Sequence, residues 1–240
     1  MVANKILAYI TWHSMNLLAL NQVGCERDYR ILFTQLNFQC SEGDIVQIEG
    51  PNGSGKTTLL RLITGLSTDF YGEITWRGKQ LKQMYQTLLS QLLYIGHETG
   101  VKKILSPREN LHWLCGLLPN YPINNDDVND GESTVSLTDI DTALNKAGLH
   151  GFEDICCYQL SAGQQQRVAL ARLHLSRAPL WVLDEPFTAL DSQGIGYFET
   201  LISDHARRGG CVWLTTHQPL TIDGVKKLDL SHYQSENRTF

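Results

Sequence analysis

Lys56 and Thr57 are the residues whose setting points most directly to chemistry. They stand in the run Gly50-Pro51-Asn52-Gly53-Ser54-Gly55-Lys56-Thr57-Thr58. The run fits G-x-x-x-x-G-K-[ST], and it stands between an apolar, strand-like segment (Ile45 to Ile48) and an apolar helical one. Glycines at 50, 53 and 55 let the backbone turn where a Cβ would obstruct it, so successive N–H groups can face phosphate oxygens. The helix that follows, apolar at Leu59, Leu60, Leu62, Ile63 and Leu66, is expected to aim its positive N-terminus at the same charge. Lys56 adds a full positive charge, and Thr57 offers a hydroxyl to a magnesium ion (Mg2+). The chemistry is that of holding a nucleotide's phosphates.

Two further segments extend that chemistry. Leu180-Trp181-Val182-Leu183-Asp184-Glu185 is an apolar strand ending in two carboxylates. A buried parallel strand delivers Asp184 to the edge where such sheets bind ligands, and there it can hold magnesium opposite Thr57. Glu185, one residue on, points elsewhere and is placed to polarise an attacking water. In Leu160-Ser161-Ala162-Gly163-Gln164, Ser161 and the Gly163 backbone begin a helix, which makes a second anion site. The chain between Gly163 and Asp184 suffices for one helix and one strand, not for folding back onto its own phosphate loop.

At Leu160 to Arg167 the sequence resembles the ATP-binding cassette family, whose signature is LSGGQ; Ala162 replaces the first glycine. The resemblance runs from about Leu17 to Leu230 and implies ATP as the substrate. It implies a head-to-tail pairing with a second copy, whose Ser161, Gly163 and Gln164 face the ATP held on Gly50 to Thr58. Asp191, in Ala189-Leu190-Asp191, resembles the acid that reaches across that pair. His217, after Thr216, resembles the family's histidine near the γ-phosphate, so Lys56, Glu185 and His217 form the implied catalytic set. The family carries glutamine where this chain has His97, whose ring nitrogen is able to reach metal or water and would make that contact sensitive to pH. The family also stacks adenine on an aromatic residue, and here either Tyr29 or the Arg27 guanidinium falls at that place.

A narrower resemblance is carried by Cys25-Glu26-Arg27-Asp28 with Leu32-Phe33, Tyr94-Ile95-Gly96-His97, Gly151-Phe152-Glu153-Asp154, the glutamines at 164 to 166, and Thr215-Thr216-His217-Gln218-Pro219. These look like the ATPase subunits of bacterial cytochrome c maturation systems, long described as heme exporters. That resemblance implies a peripheral subunit on the cytoplasmic face of the inner membrane, paired with its copy beneath a multi-span permease. Hydrolysis would drive release of a heme-loaded periplasmic chaperone. Cassette ATPases of other small exporters share these motifs. Those that act on DNA or ribosomes usually have two cassettes or a long coiled-coil insert, and a small-molecule kinase would leave Leu160 to Gln164 unexplained.

The elements that must position these residues read as an α/β fold. The expectation is a phosphate-loop core with a parallel sheet, an antiparallel β subdomain and an inserted helical subdomain, in one domain over residues 15–231. Leu17 to Leu20 reads as an edge strand followed by a turn over Gln22 to Arg30, Ile31 to Phe38 as a strand, and Tyr71 to Gly78 as a short hairpin. Leu92 to Ile95 and Cys211 to Thr215 read as buried strands, with helices over Ala162 to Ser176 and Gly194 to Arg207. Between residues 98 and 160 the pattern turns helical. Ser106-Pro107-Arg108-Glu109 opens a helix that runs to Leu118, and another spans Leu137 to Leu149. Pro119 to Ser136 reads as an exposed loop, longer than the family needs.

At 240 residues, 42% hydrophobic and 19% charged, the chain has the composition of an ordinary globular protein. The net charge is −5 and no basic stripe points to nucleic acid. Six cysteines show no metal spacing and read as small apolar residues in a reducing compartment. Residues 1–14 read as an extension without function, with Met15 as an alternative start, and lack the small-residue cleavage site of a signal peptide. No apolar run is long enough to span a membrane, and residues 232–240 form a polar tail.

Overall fold

The computed structural model describes residues 16–117 and 135–234. The expected extension at residues 1–14, most of the polar loop before Ser136 and the end of the tail lie outside that range. Among the described residues the strands form two sheets. One holds β1 (Leu18–Arg27), β2 (Arg30–Cys40), β4 (Tyr71–Trp76) and β5 (Lys79–Gln80), antiparallel in the order β2-β1-β4-β5. The other holds β3 (Ile45–Glu49), β6 (Leu92–Ile95), β7 (Leu180–Asp184), β8 (Cys211–Thr215) and β9 (Lys226–Asp229), all parallel in the order β6-β7-β8-β3-β9. The helices are α1 (Lys56–Ile63), α2 (Tyr85–Ser90), α3 (Pro107–Leu117), α4 (Leu137–Lys146), α5 (Ala162–Leu175) and α6 (Ser192–Arg207).

β1 departs from expectation. It does not end near Leu20 at a sheet edge; it continues to Arg27 and lies between β2 and β4. The Gln22 backbone takes φ 51°, its N–H donates to Asn37 Oδ1 at 3.0 Å, and the register with β4 shifts between Asn21 and Gly24. A bulge thus carries the strand through residues that read as a turn. The true turn is Asp28–Tyr29, both at positive φ. Tyr71 to Trp76 is likewise one strand paired to β1, and only the two residues of β5 return beside it.

β7 and β8 are buried along their whole length, and their side chains alternate between two cores. Trp181, Leu183, Val212 and Leu214 face a core shared with α3, α4, α5 and α6. Leu180, Val182, Cys211 and Trp213 face the opposite core, shared with α1 and the antiparallel sheet. Trp181, Trp213 and Phe198 are at most 1% exposed, and each is worth several kcal/mol, on the order of 3, if truncated.

The helical block is anchored by local chemistry. Ser106 and Glu109 bond reciprocally ahead of α3, the Ser106 N–H to Glu109 Oε2 at 2.8 Å and the Glu109 N–H to Ser106 Oγ at 3.2 Å. Arg108 on α3 pairs with Asp141 on α4 at 2.8 Å. Asn110, fully buried, donates to the carbonyls of Lys102 and Ser106, and Cys157 N–H donates to Leu105 O at 2.9 Å. The segment leading to Ser161 is therefore stitched to the start of α3. Ser231 to Tyr233, expected within or beside the tail, complete a 3-10 turn over Leu230–Tyr233 whose Leu230 is buried.

Candidate functional site

β3 ends at Glu49 and the chain turns through Gly50, Gly53 and Gly55 at φ 138°, 78° and 99°. A Cβ on Gly50 would stand 2.8 Å from Ser54 Oγ, and one on Gly55 3.0 Å from the Phe33 ring, so the loop needs glycine for space as well as for backbone freedom. α1 starts at Lys56 with no side-chain cap and no acidic residue in its first turn, which leaves its first amides to a ligand. Lys56 Nζ folds back over the loop and donates to Gly50 O at 2.8 Å and Pro51 O at 3.2 Å.

Asp184 closes β7 at 2% exposure. Its Oδ1 accepts from Thr215 Oγ1 at 2.6 Å, while Oδ2 is buried without a hydrogen-bond partner among the described residues. A buried carboxylate oxygen left so is costly unless a cation or water completes it, and Thr57 lines the same cleft; the pair fits a divalent cation. Glu185 takes φ 52°, an uncommon conformation for a residue with a Cβ, and its N–H donates to the same Thr215 hydroxyl at 2.9 Å. His217 Nε2 stands 3.5 Å from Glu185 Oε1.

One cleft of about 470 Å³ gathers most of these groups: Asn52, Gly53, Gly55, Lys56, Thr57, Thr58, His97, Asp184, Glu185 and His217. Gly50 lines a neighbouring hollow of about 630 Å³ together with Lys56 and His217, and Pro51 and Ser54 line neither. A larger hollow of about 1100 Å³ lies elsewhere and contains none of these residues. Arg27 and Leu32 form the remaining wall of the cleft, whereas Tyr29 is fully exposed and off it. Of the two residues left open for the base, Arg27 lines the cleft and Tyr29 does not.

Ser161, Gly163, Gln164 and Asp191 do not line the cleft. Ser161 caps α5, its Oγ accepting from Gln164 N–H at 3.2 Å while Gln164 Oε1 accepts from Ser161 N–H at 2.9 Å. Asp191 caps α6 by accepting from Gly194 N–H at 2.9 Å and pairs with Arg167 at 2.7 Å. Gly163 sits so close to the loop before Asp191 that a Cβ would stand 2.5 Å from the Ala189 carbonyl oxygen. These residues form a second, separate constellation on the surface.

Leu32 and Thr215 stand among the residues that carry the narrower resemblance, yet sequence reasoning gave neither a place at the site. Leu32 belongs to a strand that reads as ordinary sheet. Thr215 is a polar residue at the end of an apolar run, and only the pairing of β7 with β8, which sets Asp184 beside it, shows what it serves.

The phosphate loop after β3, the carboxylates at the end of β7 and the separate capped Ser161 segment define a class. The chain belongs to the ABC transporter family, which residues 33–188 match. It is an ATPase of the ATP-binding-cassette class. Within that class it is 50% identical over 215 residues to the cytochrome c biogenesis ATP-binding export protein CcmA of Hahella chejuensis, covering 89% of this chain and 95% of that protein. Against the protein of the same name from Escherichia coli K12 it is 48% identical over 208 residues, covering 87% and 92%. Among solved structures, a putative ABC transporter ATP-binding protein from Pyrococcus furiosus superposes with a TM-score of 0.75 at 23% identity, covering 91% of this chain and 99% of that one. A dimeric ATP-binding cassette in a post-hydrolysis state with ADP and Pi superposes with a TM-score of 0.70 at 24% identity, covering 84% and 88%. At those identities the two structures bear on the fold alone.

Proposed function

We propose that this chain is the ATP-hydrolysing subunit of a membrane export complex for cytochrome c biogenesis. It works as a pair of copies under a multi-span permease, at the cytoplasmic face of the inner membrane. Identity of 45% to 50% to CcmA proteins over nearly the whole chain supports the assignment. Among the described residues no helix is long and apolar enough to cross a membrane, which fits a subunit held there by partners. The observation that carries the mechanism is the division of the site: phosphate loop, Asp184, Glu185 and His217 share one cleft, and Ser161 to Gln164 lie outside it.

In this reading the amides of Gly53 to Thr58 and the Lys56 ammonium hold the β- and γ-phosphates. Arg27 and Leu32 receive the base, the guanidinium stacking on its face. Asp184 and Thr57 hold magnesium, which when bound offsets negative charge on the phosphates. Glu185 takes up the proton of the attacking water, and His217 orients that water beside it. Thr215 keeps both carboxylate positions fixed, because its one hydroxyl bonds Asp184 and the Glu185 backbone. A partner's Ser161 segment completes the γ-phosphate side, and Asp191 lies at that junction.

Glu185→Gln keeps the shape and removes the base. Turnover should fall by about 10²-fold or more, while ATP still binds and holds two copies together. Sizing with and without ATP, beside a phosphate-release assay, checks both halves. Wild-type turnover in this variant would refute the role given to Glu185.

A further inference from the structure

Glu199 is a buried carboxylate that the mechanism above does not use. It sits on the inner face of α6, 4% exposed, and both its oxygens are taken by one residue. Oε1 accepts from the Thr221 N–H at 2.8 Å, and Oε2 accepts a short hydrogen bond from the Thr221 hydroxyl. Burying a carboxylate costs free energy unless donors reach it, and two donors from one residue fix that residue in position and orientation.

Thr221 lies four residues after His217, in the segment that leaves β8. The His217 side chain is 64% exposed, and its nearest charged partner, Glu185, is at 3.5 Å, longer than a hydrogen bond. Packing therefore does not hold the imidazole; the backbone of its own loop must. That loop is pinned at its start, where Thr215 donates to Asp184, and at its far end, where Thr221 grips Glu199. Between them Thr216 Oγ1 accepts from Gln218 N–H at 3.0 Å, closing a local turn around His217.

We infer that Glu199 is a positioning residue for hydrolysis: through Thr221 it holds the loop that sets His217 against the attacking water. The inference rests on the reading of His217 given above. α6 is the means, since the helix that carries Glu199 is capped by Asp191 and tied through it to α5 by the Arg167 pair. The position of the histidine is thereby referred to the same rigid element that borders the second constellation.

The test uses the full chain, with whatever membrane partners co-purify, and compares turnover, KM for ATP and thermal midpoint. Glu199→Ala is expected to lower kcat by about 10-fold to 100-fold with KM for ATP within about twofold, the pattern of a misplaced catalytic group. Glu199→Gln can still accept from the Thr221 amide and can donate to its hydroxyl, so it should restore turnover to within about threefold of wild type. Thr221→Val removes the hydroxyl alone and keeps the test available if Glu199→Ala fails to fold. The decisive arm is the double variant: Glu199→Ala added to His217→Ala should cost little beyond His217→Ala alone. Wild-type kcat in a folded Glu199→Ala, or in Thr221→Val where that variant stands in, overturns the proposal, and so does a double variant that loses the full product of the two single effects. Wild-type turnover in His217→Ala would instead overturn the role of His217, and this proposal with it.

Discussion

Thr215 shows how one hydroxyl can set two positions of the proposed catalytic site. Its proton goes to Asp184, and its oxygen takes the N–H of Glu185 at an uncommon backbone angle. Thr215→Val keeps the volume but strands both groups inside the protein. The expected result is a loss of stability of about 1–3 kcal/mol in urea titration, together with lower kcat and nearly unchanged KM for ATP. Unaltered stability and turnover would mean that the two bonds matter little. At this scale the sequence is legible where chemistry is written in contiguous residues, as in Gly50 to Thr58 and Asp184-Glu185. It is not legible where a residue owes its place to a neighbour strand. Arg27 and Tyr29 are two positions apart and chemically comparable as stacking partners, yet the turn at Asp28–Tyr29 sends one into the cleft and the other into solvent.

At the scale of elements, the C-terminal turn of α6 packs on the start of β7 through a ring stack. His205 lies 3.7 Å from Trp181, interplanar angle 4°, and its ring covers Gly210 so closely that a Cβ there would stand 2.1 Å from Nε2. Burial pushes the His205 pKa down from 6.5 to about 4, opposed by a bond to the Pro179 backbone and reinforced by Arg208. His174, on α5, is likewise lowered to about 4, by burial and then by Lys146. In both cases the unfolded chain binds the proton more readily than the folded one. Their contribution is therefore complete above pH 6.5 and declines as pH falls from 6.5 toward 4. His205→Phe keeps a ring over Trp181 and removes one titrating group, so the urea midpoint should change less between about pH 7.5 and about pH 5 than it does in wild type. An equal slope in the variant would exclude His205 as a source.

Elements were legible in the sequence where patterning and caps agree. The Ser106–Glu109 cap, buried β7 and β8 and the helix after Ser161 all stand as their residues imply. They were not legible where pairing overrides pattern. A bulge let β1 pass through turn-like residues, β9 has only four residues and begins with two exposed lysines, and α2 is too short for its periodicity to register.

For the whole molecule, the proposed completion of the cleft by a second copy would make activity a property of concentration. Turnover per chain, measured on the subunit alone, should rise with its concentration and level off once pairs predominate. Specific activity that stays constant on dilution into a monomeric range would show a site complete in one chain. The close approach of Gly163 to the Ala189 carbonyl bears on how such a pair forms. With no slack between them, the helix start at Ser161 and the loop before Asp191 travel as a single body. In the proposed pair, a second copy that meets one of them out of place meets both out of place, so the two contacts would act like paired pins on one plug, which seats fully or not at all.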